Sequence, residues 1–372
     1  MEEYERTALN VGPLVPPAAA GEDLAYFLHV AAAGQPGRRV AVGARPLTVG
    51  RDAARDVVVD DAAVSRWHLQ VSLQGDRVVV EDRQSTNGTF LDGARLVGAA
   101  ELREGSRVQI GQHTLTLERR SRRDVEEREA LDRDLDKASQ YVHSLLPAPL
   151  ADGPVRTDWC YQPSAQLGGD AFGCDRLDAD TFVFYLIDVS GHGVGAAMHS
   201  VSVLNVLRQR ALPRADLTDP VQVLSDLNAM FQMDRHDGMY FTMWYGAYDC
   251  RSRRLRYACA GHHAAYLVRP DRQEATPLRT HGLMIGAAPE ARYRADDTVV
   301  PPGGVLYVFS DGVFEIVTKD QRQWRVGDFV PLLLDAPVAG VSESRRLFQA
   351  VTAAARPGPL DDDFSLVVVT LP

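Results

Sequence analysis

Four aspartates stand beside apolar runs that read as strands: Asp170 in QLGGDAFGCD, Asp188 in LIDVSGHGVGAA, Asp311 in LYVFSDGVFE and Asp362 in DDDFSLVVV. Asp188 and Asp311 follow such a run and Asp362 precedes one, which is how a fold gathers carboxylates from distant sequence into one cluster. Bunched carboxylates repel one another unless a cation lies among them, and their hard oxygens suit Mg²⁺ or Mn²⁺. The Gly168-Gly169-Asp170 turn alone admits two chemistries: the loop of a cyclase that joins two GTPs, or the first metal-binding loop of a phosphatase. No Ser or Cys sits in a nucleophile elbow, so a covalent phosphoenzyme is not indicated. His192 in SGHG reads either as a general acid or as a ring packed beside the glycine turn, and His262 and His263 leave the same two readings open.

A second set of residues suits different chemistry. Gly50-Arg51 in LTVGRD, Ser65-Arg66-Trp67-His68 in VSRWHLQV and Ser85-Thr86-Asn87-Gly88-Thr89 in DRQSTNGTFLDG each put oxyanion-binding groups in a loop between strand-like residues. A dianionic phosphate takes charge-assisted donors, which a guanidinium fork and hydroxyls provide. Residues 24–120 hold 13 arginines, no lysine and 11 acids, a net +2, which leaves −12 for the rest of a chain whose total is −10. Arginine without lysine favours planar, forked recognition of an oxyanion.

The elements that must position these groups follow from patterning. At 372 residues the chain has room for two domains or slightly more. From 24 to 119, short β-type runs (AYFLHV, RVVVED, RVQI, HTLTLE) alternate with Gly, Asp and Asn turns, which predicts an all-β sandwich or barrel. Residues 120–150 carry a helical stripe, Leu131, Leu135, Ala138, Val142 and Leu145, stopped by Pro147. That stripe suits either a dimerising or signal-carrying linker helix, and hence a homodimer, or a helix lying on its own domain. From 151 to 372, buried strands (TFVFYLIDV, GVLYVFSDG, FSLVVVTL) mix with helical stretches, giving an α+β domain of stacked sheets covered by helices. Residues 1–23 read as a mobile tail.

Composition excludes several classes. The net charge of −10 argues against nucleic-acid binding. No apolar run approaches the roughly 18–20 residues of a membrane span, and MEEYERTALN is acidic where a secretory signal is basic, so a cytoplasmic protein without a membrane partner is expected. Cys160, Cys174, Cys250 and Cys259 show no C-x-x-C spacing and read as free thiols.

Taken together, the three N-terminal motifs resemble the forkhead-associated (FHA) domain over 24–119. The resemblance implies that Arg51 and Ser65 hold the phosphate of a phosphothreonine, with Arg66 and Thr86 beside it, and that Asn87 fixes the peptide backbone. His68 would brace the loop and Gly88 would supply a turn. The four aspartate motifs, with YFTMWYGAYD, LRYACAGHHAAYLV and GLMIGAAP in order between them, resemble the SpoIIE-type branch of the metal-dependent protein phosphatase 2C family over 151–372. LDKASQYVHSLLP resembles the helix that precedes that catalytic domain. On this resemblance Asp170 and Asp188, with the main-chain carbonyl of Val189, bind metal, and Asp311 and Asp362 complete a site for two ions, Mn²⁺ or Mg²⁺. Within the run Asp361-Asp362-Asp363, Asp362 is favoured because Phe364 and Ser365 then take the family's apolar and hydroxyl positions.

The implied reaction is hydrolysis of phosphoserine or phosphothreonine in a regulatory protein, commonly a small anti-sigma-factor antagonist. The reader would dock a phosphothreonine protein made by a Ser/Thr kinase and act on the phosphatase through the linker. A catalytically inactive phosphothreonine-binding scaffold is the alternative. A cyclase is disfavoured, since its loop carries a glutamate where this chain has Ala171.

Overall fold

The computed structural model describes residues 24–32, 37–213 and 216–372. The tail expected over 1–23 lies outside the described residues. The chain divides into two compact units, Met1–Asp132 and Arg133–Pro372, and the division falls inside the helix Arg122–Leu145.

Alternation builds the first unit into a β-sandwich. In Arg77–Asp82, Val78 and Val80 are buried while Arg77, Val79 and Glu81 alternate with them on the more open face, and the two buried valines meet Leu28, Val49, Leu69 and Leu115 in a single core. Each such side chain contributes about 1.5–3 kcal/mol by leaving water. One sheet runs Arg38–Val42, Leu24–Ala32, His113–Ser121, Arg107–Ile110, Phe90–Leu91, Ala94–Arg95; the other runs Val57–Val58, Leu47–Gly50, Leu69–Gln74, Arg77–Asp82, Ala99–Leu102. The oxyanion-type motifs fall in loops: Arg51 just after Leu47–Gly50, Ser65 to His68 just before Leu69–Gln74, and Ser85 to Thr89 ahead of Phe90–Leu91.

The second unit stacks two five-stranded antiparallel sheets between helices. One sheet runs Arg156–Gln162, Phe364–Thr370, Val305–Phe309, Ala265–Val268, Ala275–Leu278; the other runs Ala171–Arg176, Thr181–Val189, Phe241–Asp249, Arg254–Ala260, Ala295–Val299. Thr181–Val189 shows why these strands read as unbroken apolar runs. Val183, Tyr185 and Ile187 face a core shared with the helices Val194–Arg208 and Pro220–Met230, while Phe182, Phe184 and Leu186 face the other sheet. The helix Glu343–Ala354 covers the far side through Leu347 and Val351.

From Leu135 onward the helix Arg122–Leu145 uses its stripe on its own unit: Leu135, Ala138, Val142 and Leu145 lie against Leu167, Ala197 and Val201. Leu131 is 51% exposed. Of the two readings of this stripe, the self-packed helix is the arrangement seen. The carbonyl left free at Leu145 accepts from Arg208 at 2.7 Å. The four cysteines are free thiols, and among the described residues no helix is long and apolar enough to cross a membrane.

Candidate functional site

Both sheets of the second unit deliver aspartates to the same end of the stack. Asp170 immediately precedes Ala171–Arg176, and Asp188 is the penultimate residue of the neighbouring strand, where Ala171 pairs with Ile187. Strand alternation puts Asp188 on the face shared with Phe184 and Leu186, toward the other sheet. From that sheet come Asp311, two residues past Val305–Phe309, and Asp362, two residues before Phe364–Thr370; Phe309 and Leu366 are paired, so these ends coincide. The carbonyl of Val189 also points into this region, since a Cβ at Gly169 would stand 3.0 Å from it.

Asp363 holds the Gly168-Gly169-Asp170 turn in place. It is buried, and it accepts from the Gly169 N–H at 2.7 Å and from the Ser164 N–H and hydroxyl at 2.8 and 2.9 Å. Two glycines make room for it. A Cβ at Gly168 would sit 2.5 Å from Asp363 Oδ2, and one at Gly312 would sit 2.2 Å from the Asp363 carbonyl oxygen. The Ser310 hydroxyl donates to that carbonyl at 2.9 Å, tying the turn that follows Phe309 to the same residue. Asp362 is exposed, and its Oδ1 accepts from the Asp363 N–H at 2.8 Å.

In the first unit the three loops are wired together. Gly50 lets the Ser65-Arg66 backbone approach closely, because a Cβ there would lie 2.3 Å from the Arg66 carbonyl oxygen. The Arg51 N–H then donates to the Ser65 carbonyl at 3.0 Å. His68 is fully buried: Nδ1 accepts from the Ser65 N–H at 3.0 Å, so Nε2 carries the proton and donates to the Gly88 carbonyl at 3.2 Å. Burial holds the ring's pKa down and keeps it neutral, which suits this bracing. The Ser65 hydroxyl accepts from the Thr86 N–H at 3.0 Å and donates to the Thr86 hydroxyl at 3.3 Å, while Asn87 Nδ2 donates to the Ala63 carbonyl at 2.8 Å. Arg51, Ser65, Arg66, Thr86 and Asn87 therefore belong to three adjoining loops, with both guanidinium groups at the surface.

The family profile described as Stage II sporulation protein E (SpoIIE) matches residues 178–372, more than half of the chain. The chain belongs to the SpoIIE family. The FHA domain profile matches residues 47–111, so this SpoIIE-family chain carries an FHA domain in its first unit. Asp188, Asp311 and Asp362 fall inside the SpoIIE match, whereas Asp170 precedes it. Phosphoserine phosphatase RsbP of Bacillus subtilis is 28% identical over 187 residues, which are 49% of this chain and 45% of that protein. The FHA domain-containing protein FhaB of Mycobacterium tuberculosis is 36% identical over 93 residues, 25% of this chain and 60% of that one. The chain thus spans about half the length of RsbP. The solved SiaA-PP2C domain of Pseudomonas aeruginosa shares the fold of the second unit, with a TM-score of 0.57 at 20% identity over 66% of this chain and 99% of that one.

The electrostatics of the SpoIIE-family unit are those of a site built for cations. Burial, then Asp188 and Asp363, push the Asp170 carboxyl well above the usual range; burial, then Asp311, Asp362, Asp363 and Glu315, do the same to Asp188. Asp311 is pushed up to about 6 by burial, Asp362 and Glu315. Asp362 reaches solvent yet is also raised, mostly by the protein crowded around it, with His192 pulling the other way. The Ser365 hydroxyl is close enough to Asp170 to favour its charge, but neither Ser365 Oγ nor the buried Asp170 Oδ2 has a hydrogen-bond partner. Buried, mutually repelling carboxylates with an orphaned oxygen fit hard divalent cations. Among the described residues no group of three or more His, Cys, Asp or Glu side chains is drawn together closely enough to hold a metal ion as it stands.

The two histidines after Gly261 are packing groups. His262 bonds Thr242 Oγ1 at 2.6 Å and the Phe309 carbonyl at 3.1 Å, and His263 stacks on it with ring centroids 4.3 Å apart; burial drives both toward neutrality, His263 to about 4. His192, by contrast, is exposed beside Asp362. Sequence reasoning did not single out Asp363, Ser164, Ser310 or Glu315. The Asp361-Asp362-Asp363 run was a signal for the first, but nothing in it says which carboxyl turns inward.

Proposed function

We propose that this chain is a metal-dependent serine/threonine protein phosphatase acting on a phosphorylated regulatory protein, and that its FHA domain binds phosphothreonine proteins. The observation that carries the reading is the meeting of Asp170, Asp188, Asp311 and Asp362 from two sheets at one end of the stack, each raised by burial and most by one another's charge. Asp170 and Asp188, with the Val189 carbonyl, and Asp311 and Asp362 would hold two ions, Mn²⁺ or Mg²⁺. Such ions, when bound, supply an activated water and offset the charge of the phosphoryl oxygens. The chain's own part is positioning: Asp363 fixes the loop that carries Asp170, and His192 stands exposed beside Asp362. Arg51 and Ser65, with Arg66, Thr86 and Asn87 beside them, would bind the phosphothreonine.

RsbP is by name a phosphoserine phosphatase, which supports the same reaction here. The substrate we favour is a small anti-sigma-factor antagonist, and the ligand of the reader a product of a Ser/Thr kinase in the same cytoplasm. The domains we assign are 24–119 for the reader, 120–150 for the linker helix and 151–372 for the catalyst. Coupling between them would run through the linker, because its stripe rests on Leu167, three residues ahead of Asp170, and on the helix that follows His192.

The test is hydrolysis of an aryl phosphate by the purified protein. Turnover is expected with Mn²⁺, and it should vanish with chelator and in Asp188→Asn. No turnover with any divalent cation, with or without a phosphothreonine peptide, would overturn the reading in favour of an inactive phosphothreonine-binding scaffold.

A further inference from the structure

The loop end of the FHA domain holds more unpaired positive charge than one phosphate calls for. Among the described residues, the side chains of Arg51, Arg55 and Arg66 make no hydrogen bond or ion pair. Arg51 and Arg66 are already assigned to the phosphothreonine; Arg55 is not. It lies four residues past Arg51 in the same loop, whose turn is closed by the Arg55 N–H donating to the Asp52 carbonyl at 3.0 Å and the Asp52 N–H to the Arg66 carbonyl at 3.2 Å.

That turn brings Arg55 over the ring of Trp67, 5.2 Å from its centroid. Trp67 is 41% exposed, an uncommon place for an indole, and its position between Arg66 and the locked His68 throws the ring to the surface beside the phosphate loops. Arg83 also lies over the ring, at 4.8 Å, but its fork is occupied by Glu81 at 3.0 Å and Gln70 at 3.1 Å. Arg83 therefore steadies the indole, and Arg55, half-buried with its Nε buried and without a hydrogen-bond partner, is the cation over the ring whose donors are not taken. The nearest carboxylate in sequence, Asp56, feels the charge of Arg55 but takes its hydrogen bonds from the Thr48 N–H at 2.9 Å, the Thr48 hydroxyl at 2.7 Å and Arg45. A guanidinium stacked on an aromatic face keeps its in-plane donors for a carboxylate or phosphate.

We propose that Arg55, seated on Trp67, reads a second anionic side chain on the phosphothreonine ligand, close to the phosphothreonine itself. The inference rests on the phosphothreonine reading of this domain and adds to it a preference for acidic or doubly phosphorylated partners.

The experiment uses the full chain and fluorescence anisotropy. The probes are phosphothreonine peptides with an alanine background, through which a single aspartate, and then a single phosphoserine, is moved position by position. At one flanking position the acid should tighten binding by roughly tenfold over the alanine-flanked peptide. That ratio should fall to near one in Arg55→Gln, to an intermediate value in Arg55→Lys, which keeps charge without the fork, and below wild type in Trp67→Leu. A gain with phosphoserine but not aspartate identifies a second phosphate as the feature read; a gain with both identifies any acid. A wild-type ratio near one at every position, or a ratio unchanged in Arg55→Gln, overturns the proposal. Equal binding of phosphorylated and unphosphorylated alanine-flanked peptides would overturn the reader itself, and is seen before any flanking acid is introduced.

Discussion

The two regions of this chain that we assign to phosphoryl groups solve the encounter in opposite ways. In the FHA domain the loops are satisfied internally: Ser65, His68, Thr86 and Asn87 bond one another and the nearby backbone, and the guanidinium groups of Arg51 and Arg66 are left exposed for a ligand. In the SpoIIE-family unit the functional groups are anions that raise one another's pKa, with a buried Asp170 oxygen left unpartnered. On the proposed function, the reader is complete as folded and would meet a dianion with cations, whereas the catalyst would need cations before it could approach one at all. Rigid scaffolding is common to both, but only one of them is strained by its own charge.

The sharpest break of this comparison is a pair of exchanges. Asp311→Asn should lower aryl-phosphate turnover on the order of a thousandfold while phosphothreonine peptide binding stays. Arg51→Ala should weaken that binding at least tenfold while turnover of the aryl phosphate, which never meets the reader, stays. Anisotropy and steady-state kinetics on the same preparations check both, and a variant that lost both properties would show the two sites are not independent.

A smaller effect separates holding a metal from holding its loop. Asp363→Asn leaves one acceptor oxygen where two served the Gly169 N–H and the Ser164 N–H and hydroxyl, and should weaken Mn²⁺ affinity by about 10–100-fold, with turnover recovering at saturating Mn²⁺; turnover that stays lost there would make Asp363 a ligand and not a brace. This residue also marks where the sequence stops being legible. The four strand-end aspartates stood out because each abuts an apolar run, and the sandwich strands because short β-type runs such as RVVVED are set off by Gly, Asp and Asn turns. Asp362 and Asp363 cannot be told apart that way, since only the folded turn sends one to solvent and the other under Gly169. The linker stripe was equally readable as a seam between copies or as a packed face, because both want the same apolar spacing. Leu167, which the stripe covers, lies outside that pattern. No periodicity announces Arg55 over Trp67, a contact made by two loops.

The catalyst's internal repulsion should appear as a pH dependence of stability. In metal-free protein, Asp311 has a folded pKa of about 6, above its ordinary value of 3.8, and Asp170 and Asp188 lie higher than ordinary too. Groups raised on folding add stability that is fully present below the unfolded pKa and is lost as pH rises through the folded one. The chelated second unit should therefore lose stability from about pH 4 upward past pH 6, and Mn²⁺ should restore more at pH 7 than at pH 5. Thermal melts in chelator and in Mn²⁺ measure both arms, and a chelated unit whose stability climbs over that range would remove the case for a repulsive cluster.

The reader should show the opposite sign and the smallest effect. Asp82 accepts from the Ser85 hydroxyl at 2.6 Å, the Ser85 N–H at 3.1 Å and the Thr89 hydroxyl at 2.7 Å. Burial works against its charge, yet these bonds together outweigh burial and hold its carboxyl below the ordinary 3.8. A depressed carboxyl gives stability that is present above the unfolded pKa and drains away as pH falls through the folded one. Asp82→Ala leaves the buried Thr89 hydroxyl without its acceptor and should cost the first unit about 1–3 kcal/mol at neutral pH, and less in acid, once the wild-type carboxyl is itself protonated. Peptide-resolved hydrogen exchange on the full chain can follow Arg77–Asp82 and Thr181–Val189 in one experiment. Acid should loosen the first before the second; if both strands loosened together on acidification, the two units would not differ in the way their charges say.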